Sequence, residues 1–275
     1  MAYNKIHPGL PIRASVTMKK TLTVLLAAGV LAAAAAGSGA QVASPASSGQ
    51  ARATGFIVSD VDLHCSFFVL ADVPTLTISG GDGARTLYSD GDRVLLAGKG
   101  LDALREGQVL SVLELGPKIA SQSKKPSPGR IAFQRGRVRI LGVDPCQATA
   151  RVERACAPVM AGYVLVPFLE KAKMTVADFG LESGAPAAGA PAGRVLFLED
   201  DAVQIATGQR ALIDLGRADG IEPGRRMTVF FQPGADQPFT ASANAVVIDA
   251  GPASATVKIL TAKTPVRVGD LVQAR

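Results

Sequence analysis

Seven basic residues, Lys118, Lys124, Lys125, Arg130, Arg135, Arg137 and Arg139, fall within 22 residues that contain no acid. Ammonium and guanidinium groups at this density are the chemistry of anion recognition, because each offers charge-assisted hydrogen bonds. Arg135, Arg137 and Arg139 recur with period 2, so a strand would project all three from one face, with Val138 and Ile140 on the other. In an envelope setting the stripe would suit an anionic glycan, a lipopolysaccharide phosphate or an acidic protein surface. The plainer reading is a solvated loop followed by an edge strand protected by charge. Nucleic acid fits poorly, since Phe133 alone is interleaved for base stacking.

Other reactive side chains are few. Beyond residue 40 the only histidine is His64, beside Cys65. The pair would suggest a thiol nucleophile, but on a strand their side chains point to opposite faces. Glu199, Asp200 and Asp201 would offer a hydrolase paired acids, although such a run reads more simply as a solvated turn. The segment SDGDR at 89–93 is too short for a calcium loop. No zinc spacing or glycine-rich phosphate loop occurs. The expectation is a protein without catalytic residues, metal or cofactor.

The elements that position these groups follow from an internal repeat. Residues 86–112 align without a gap on 203–229, at an offset of 117, and 147–164 align on 254–271, at an offset of 107. The offset changes because copy 1 carries a longer loop, 117–130. Both copies show short alternating apolar runs separated by turn residues, which reads as β-structure. The expected strands are 93–96, 108–113, 131–143, 147–155 and 163–166 in copy 1. In copy 2 they are 211–214, 227–231, 243–248, 255–260 and 271–273. The predicted class is all-β: two tandem small β-barrel-like modules of about five strands each, since a closed barrel leaves no exposed edge.

The turns before the strands share residues. Asp219, Ile221 and Gly224 of copy 2 stand opposite Asp102, Leu104 and Gly107 of copy 1, and Gly269 stands opposite Gly162. Gly220 and Gly224 supply positive φ, and Asp219 can bond nearby amides. Asp270, in VGDLV, would open the closing strand, and copy 1 has Tyr163 there. These are read as turn architecture and not as catalytic or metal-binding acids.

The ends set a compartment. Residues 1–40 hold no acid, and Lys19 and Lys20 precede an apolar run over 21–36 that ends in Gly-Ser-Gly-Ala. That layout predicts a secretory signal peptide cleaved after Ala40, with Met18 the more natural start. The run is shorter than the ~20 residues of a membrane span, so no transmembrane anchor is expected after cleavage. The chain has 29 basic and 23 acidic residues; the first 40 residues hold four of the basic ones, leaving 25 against 23. Global charge therefore gives no argument for nucleic acid. The expected organisation is a signal peptide at 1–40, a flexible lead at 41–54 and an N-terminal β element at 55–83. Copy 1 follows at 84–167, a linker at 168–193 and copy 2 at 194–275. The linker's first half could hold a helical turn or two. Its Ala/Pro/Gly-rich second half suggests freedom between the copies.

Cys65, Cys146 and Cys156 cannot all pair. An oxidising compartment favours one disulfide. Cys146 and Cys156 can join only if the chain folds back between them; otherwise one of them joins Cys65. Copy 2 has Ala253 and Lys263 at the positions of Cys146 and Cys156, so the bridge belongs to copy 1 alone.

The string LIDLGRADGIEPGRRMTVF, with the later AVVIDAGPASATVKILTAKTPVRVGDLV, resembles the C-terminal β domain of the flagellar assembly protein T family. It is also similar to the domain that follows LysM modules in exported peptidoglycan-binding proteins. The shared features are a DxGxxDG turn-strand signature and a VGDxV closing strand, which copy 2 carries from Leu212 to Val272 and copy 1 more loosely. The chain has no LysM motif, so sugar binding by that module does not transfer. The resemblance implies a periplasmic or cell-wall-facing structural module and brings no active-site residues. The expected function is a non-enzymatic exported envelope protein, periplasmic or secreted, that docks on an envelope protein assembly or on peptidoglycan. The alternative is a glycan- or polyanion-binding module using the basic stripe, and the third is a hydrolase of unrecognised type.

Overall fold

The computed structural model describes residues 54–120, 127–178, 180–181 and 184–275. The predicted signal peptide, most of the lead, and Lys124 and Lys125 lie outside them. The described part belongs to one compact unit. It opens with strand β1 (Thr54–Val58), a short helix α1 (Asp60–His64) and strand β2 (Phe67–Leu70). Then come β3 (Thr77–Gly81), β4 (Leu87–Tyr88), β5 (Arg93–Ala97), β6 (Val109–Lys118), β7 (Arg130–Val143), β8 (Ala148–Ala155), β9 (Val159–Met160) and β10 (Val164–Pro167). After β11 (Met174–Asp178) follow β12 (Ala192–Leu198), β13 (Arg210–Ile213), β14 (Arg226–Phe231), β15 (Thr240–Ala250), β16 (Ala255–Ala262) and β17 (Leu271–Ala274).

The repeat is visible as topology. Barrel 1 closes in the order β3-β5-β8-β7-β6-β10, and barrel 2 in the order β12-β13-β16-β15-β14-β17. Even the register repeats. Val94 pairs with Ala150 and Ala211 with Val257; Val112 pairs with Leu165 and Val229 with Val272. Each pair of partners is related by the offsets of 117 and 107 that the sequence shows. The alternating apolar residues of these strands fill each barrel: Val94, Leu96, Val112, Val138 and Val152 in one, Ala211, Ile213, Val229, Ala245 and Ile259 in the other. The barrels have six strands each, against the five expected. The sixth is the first, β3 or β12. Ile78 and Val195 hold equivalent places, receiving the amides of Gly162 and Gly269 at 2.8 Å. The sequences around them share almost nothing, so the alignment did not reach them.

Three local readings are corrected. First, β7 is no edge strand: β6 lies along one side, and β2 and then β8 along the other. Second, the first half of the linker contains strand β11, which pairs with β1 over the whole length of both. Third, His64 and Cys65 end a helix rather than lie in a strand. Ser59 and Asp62 form a capping box: the Asp62 amide donates to the Ser59 hydroxyl, and the Ser59 amide donates to the Asp62 carboxylate at 2.9 Å. The β-branched residues around them concealed this signature.

The residues before barrel 1 and after it fasten the two barrels together. The β1–β11 ribbon and α1 lay Val58, Leu63 and Val176 on Val246, Ile248 and Leu260 of barrel 2. β2 instead joins the sheet of barrel 1, where Phe67 and Phe133 meet Phe197 of barrel 2. The three rings lie 5.6–6.1 Å apart in edge-on contacts, the arrangement that their quadrupoles favour.

Candidate functional site

The arginine stripe forms as the period predicted, but its charges are met from neighbouring strands. Arg135 Nε donates to Glu114 at 2.5 Å, and Arg139 Nε donates to Glu153 at 2.5 Å. Arg137 Nε lies 3.4 Å from the same Glu153, in charge contact without hydrogen-bond geometry. Arg135 also covers the Phe133 ring at 5.1 Å, and Arg137 the Phe168 ring at 5.2 Å. The stripe is an ion-pair ladder. These side chains are partly exposed, so each pair is worth at most about 1 kcal/mol. Glu153→Gln is accordingly expected to lower unfolding stability by about 1 kcal/mol or less in a urea titration. Lys118 and Arg130 behave differently. They are exposed and directly opposite across β6 and β7, a like-charge pairing that sheets disfavour.

The turn residues lie where their chemistry places them. Gly107, Gly162, Gly220, Gly224 and Gly269 all have φ between 75° and 91°. The Gly107 amide donates to Ile140 and that of Gly224 to Val247, equivalent bonds in the two barrels. Asp219 accepts from the Gly216 amide at 3.0 Å, and Asp270 from the Arg267 amide at 2.8 Å. Burial raises the Asp270 pKa above its ordinary 3.8, against the lowering effect of the Arg267 amide and of the Arg267 and Arg194 charges. Asp102 occupies the matching single turn of helix in copy 1. In the acidic run, Glu199 is held by Arg210, whose Nε donates at 3.0 Å, and Asp200 and Asp201 sit at positive φ in a turn. Among the described residues no group of three His, Cys, Asp or Glu is placed to hold a metal ion.

Cys65 joins Cys156, closing a sequence separation of 91 residues, and Cys146 is free and exposed. The bridge ties the end of α1 to the end of β8 in barrel 1. His64 is buried beside it, its ring 5.0 Å from that of Phe168. Asp60 and Glu170 lie 3.8 and 3.7 Å from its Nε2, outside hydrogen-bond range. Burial lowers the imidazole pKa below 6.5, Lys171 and Arg137 add to this, and Asp60 and Glu170 oppose it. The unfolded chain therefore takes up this proton first. The stabilising contribution of neutral His64 is full above pH 6.5 and declines as pH falls below it. A pH series of urea midpoints is expected to show this decline, and His64→Phe to flatten it.

A deep concavity, which no single segment of the sequence marks, lies between the barrels. It measures about 490 Å³. β2 and the end of β10 form one wall; Leu212, Ala250 and the β16 residues Ala255 and Thr256 form the other. The polar groups on it are Ser111, Gln134, Lys171, Arg217, Asp249, Ser254 and Thr256. Lys171 Nζ donates to Asp249 at 2.7 Å and to the Leu63 carbonyl at 2.9 Å. The Thr256 hydroxyl donates to the Phe67 carbonyl at 2.7 Å. Gln134 is buried, and its Oε1 has no hydrogen-bond partner.

One signal in the sequence pointed here. Gln134, Arg217 and Asp249 stand in register with Ala241, Gly100 and Gly142 of the other copy, so these three polar groups of the cleft occur where the copies diverge, whereas Thr256 is matched by Thr149. In sequence comparisons no family model and no curated protein matches the chain.

Proposed function

We propose that this chain is a non-enzymatic exported protein of the cell envelope, periplasmic or secreted, that acts as an adaptor for an envelope assembly. One observation carries the reading: two barrels of one design are clasped by a shared N-terminal segment around a cleft. Three polar groups that differ between the copies, Gln134, Arg217 and Asp249, meet at that cleft, as expected where function is added to a common scaffold. The Cys65–Cys156 bridge supports export, because disulfides persist in oxidising compartments. The leader-like residues 1–40 and the likeness of copy 2 to flagellar assembly protein T and LysM-associated domains support an envelope setting; peptidoglycan remains the second candidate partner class.

Fractionation of cells expressing the chain tests this. The expected result is recovery in the periplasmic or secreted fraction, starting at Gln41 and resistant to thiol alkylation at Cys65 and Cys156. Cytoplasmic recovery with both thiols reduced would overturn it.

A second reading, polyanion binding, is favoured by the two like charges of Lys118 and Arg130, which face each other across the strands, and not by the paired stripe. On this reading a joint Lys118→Glu and Arg130→Glu variant loses co-sedimentation with purified envelope, while the fold persists because both residues are exposed. Unchanged sedimentation would rule that reading out.

A further inference from the structure

The cleft identifies the kind of partner, and the inference rests on the adaptor reading. Its volume of about 490 Å³ falls in the range of ~300–1,000 Å³ typical of ligand sites. Three consecutive residues of β2, Phe68, Val69 and Leu70, border it. Successive strand residues point to opposite faces, so three neighbours bordering one cavity present a backbone edge to it. β2 pairs with β7 on one side and, among the described residues, with no second strand. The Ser66 carbonyl faces β7 and the Thr256 hydroxyl occupies that of Phe67, so the open part of this edge is the backbone of Val69, where an extended segment beside the apolar cavity could pair.

Two polar groups narrow the occupant. Gln134 is 7% exposed, and its Oε1, an acceptor, is unpartnered. A buried acceptor left so keeps its full desolvation penalty, which a ligand N–H would relieve. Arg217 lies at the margin of the cleft, exposed and, among the described residues, in no ion pair. The nearby Lys171 is neutralised by Asp249, so the mouth keeps one uncompensated positive charge.

We propose that the cleft binds the C-terminal tail of a partner polypeptide in extended form. The tail pairs with the open backbone of Val69 in β2, and one of its amides donates to Gln134 Oε1. Its apolar side chains fill the cavity, and its terminal carboxylate meets Arg217. A fatty acid would satisfy the apolar walls and Arg217 but brings no donor for Gln134.

The test is affinity selection by the full chain from a pool of pentapeptides of alanine, valine, leucine, isoleucine and phenylalanine. The pool is offered with free or with amidated C-termini, and recovered peptides are measured by calorimetry. The expected result is enrichment of free-acid peptides, with affinity about tenfold weaker for their amidated twins and for the Arg217→Ala protein. Gln134→Leu is expected to weaken binding similarly, with thermal unfolding of each variant confirming the fold. Decanoate, the lipid probe, is expected to compete weakly or not at all. The proposal is overturned by no enrichment, by equal recovery of both pools, by unchanged affinity in Arg217→Ala, or by retention of decanoate alone. Failure here leaves the fractionation result intact, so the failure of the tail-binding proposal and that of the adaptor reading are distinguishable.

Discussion

Replacing Cys65 and Cys156 together by serine is expected to lower unfolding stability by about 4.6 kcal/mol, the chain-entropy value for so long a closed loop. At about 2–4 °C per kcal/mol for a chain of this size, the midpoint should fall by about 9–18 °C. Reductant should reproduce the loss in the unmodified protein, and Cys146→Ser should leave the midpoint unchanged, because that thiol is free and exposed. The effect is also local. The bridge anchors α1 to barrel 1 beside the Arg154–Asp60 ion pair, so its loss should loosen the helix there and raise hydrogen exchange over 54–70 first. A midpoint that ignores reductant would refute this role for the bridge.

A buried ion pair of the same helix predicts the other large effect. Lys258 Nζ donates to Asp62 at 2.6 Å, joining α1 to β16 with both side chains largely buried. Removing one partner strands the other, so Lys258→Met is expected to cost about 3–5 kcal/mol. The double variant Lys258→Met and Asp62→Asn should recover much of that, since no unpaired charge remains. The pH dependence provides a separate check. Burial pushes the Asp62 pKa up, but hydrogen bonds from Lys258 and from the hydroxyl and amide of Ser59, with the Lys258 charge, outweigh it and hold it below 3.8. A depressed folded pKa means that the unfolded chain binds the proton first. The contribution of the pair is therefore full above pH 3.8 and is lost as pH falls below it. In Lys258→Met the main opposing influence is gone and burial dominates. The destabilisation should then shrink on acidification, as Asp62 protonates. A destabilisation that does not vary with pH would contradict this account of the pair.

The fold was legible where the two copies agree. Matched residues such as Val94 and Ala211, or Gly107 and Gly224, carry the barrel interiors and the turns, and their offsets even reproduce strand register. It was illegible where the copies share nothing. β3 and β12 take equivalent places with unrelated sequences, because backbone pairing and the amides of Gly162 and Gly269 fix them. The stripe was legible as a face, since period 2 is a local property. Its neutralisation was not, because Glu114 and Glu153 come from the strands on either side of β7. The cleft was the least legible feature. Phe68, Gln134, Arg217 and Asp249 are scattered over the chain, and only the closing of both barrels and the path of β2 between them bring these residues together. Of the disulfide pairings left open, the structure selects Cys65–Cys156, which required knowing that α1 lies beside the end of β8.

The idea on which the cleft depends is that the barrels are fixed to each other and are not beads on the Ala/Pro/Gly segment. Independent motion is the default for two domains in one chain unless a substantial apolar interface opposes it. Here the Phe67, Phe133 and Phe197 cluster and the β1–β11 ribbon provide one. Pulsed electron resonance between spin labels on the native Cys146 of barrel 1 and on Gln237→Cys of barrel 2 measures this directly. Both positions are exposed, and neither touches the bridge. One narrow distance distribution is expected in the oxidised protein, broadening when Cys65–Cys156 is reduced. A broad distribution in the oxidised protein would contradict it.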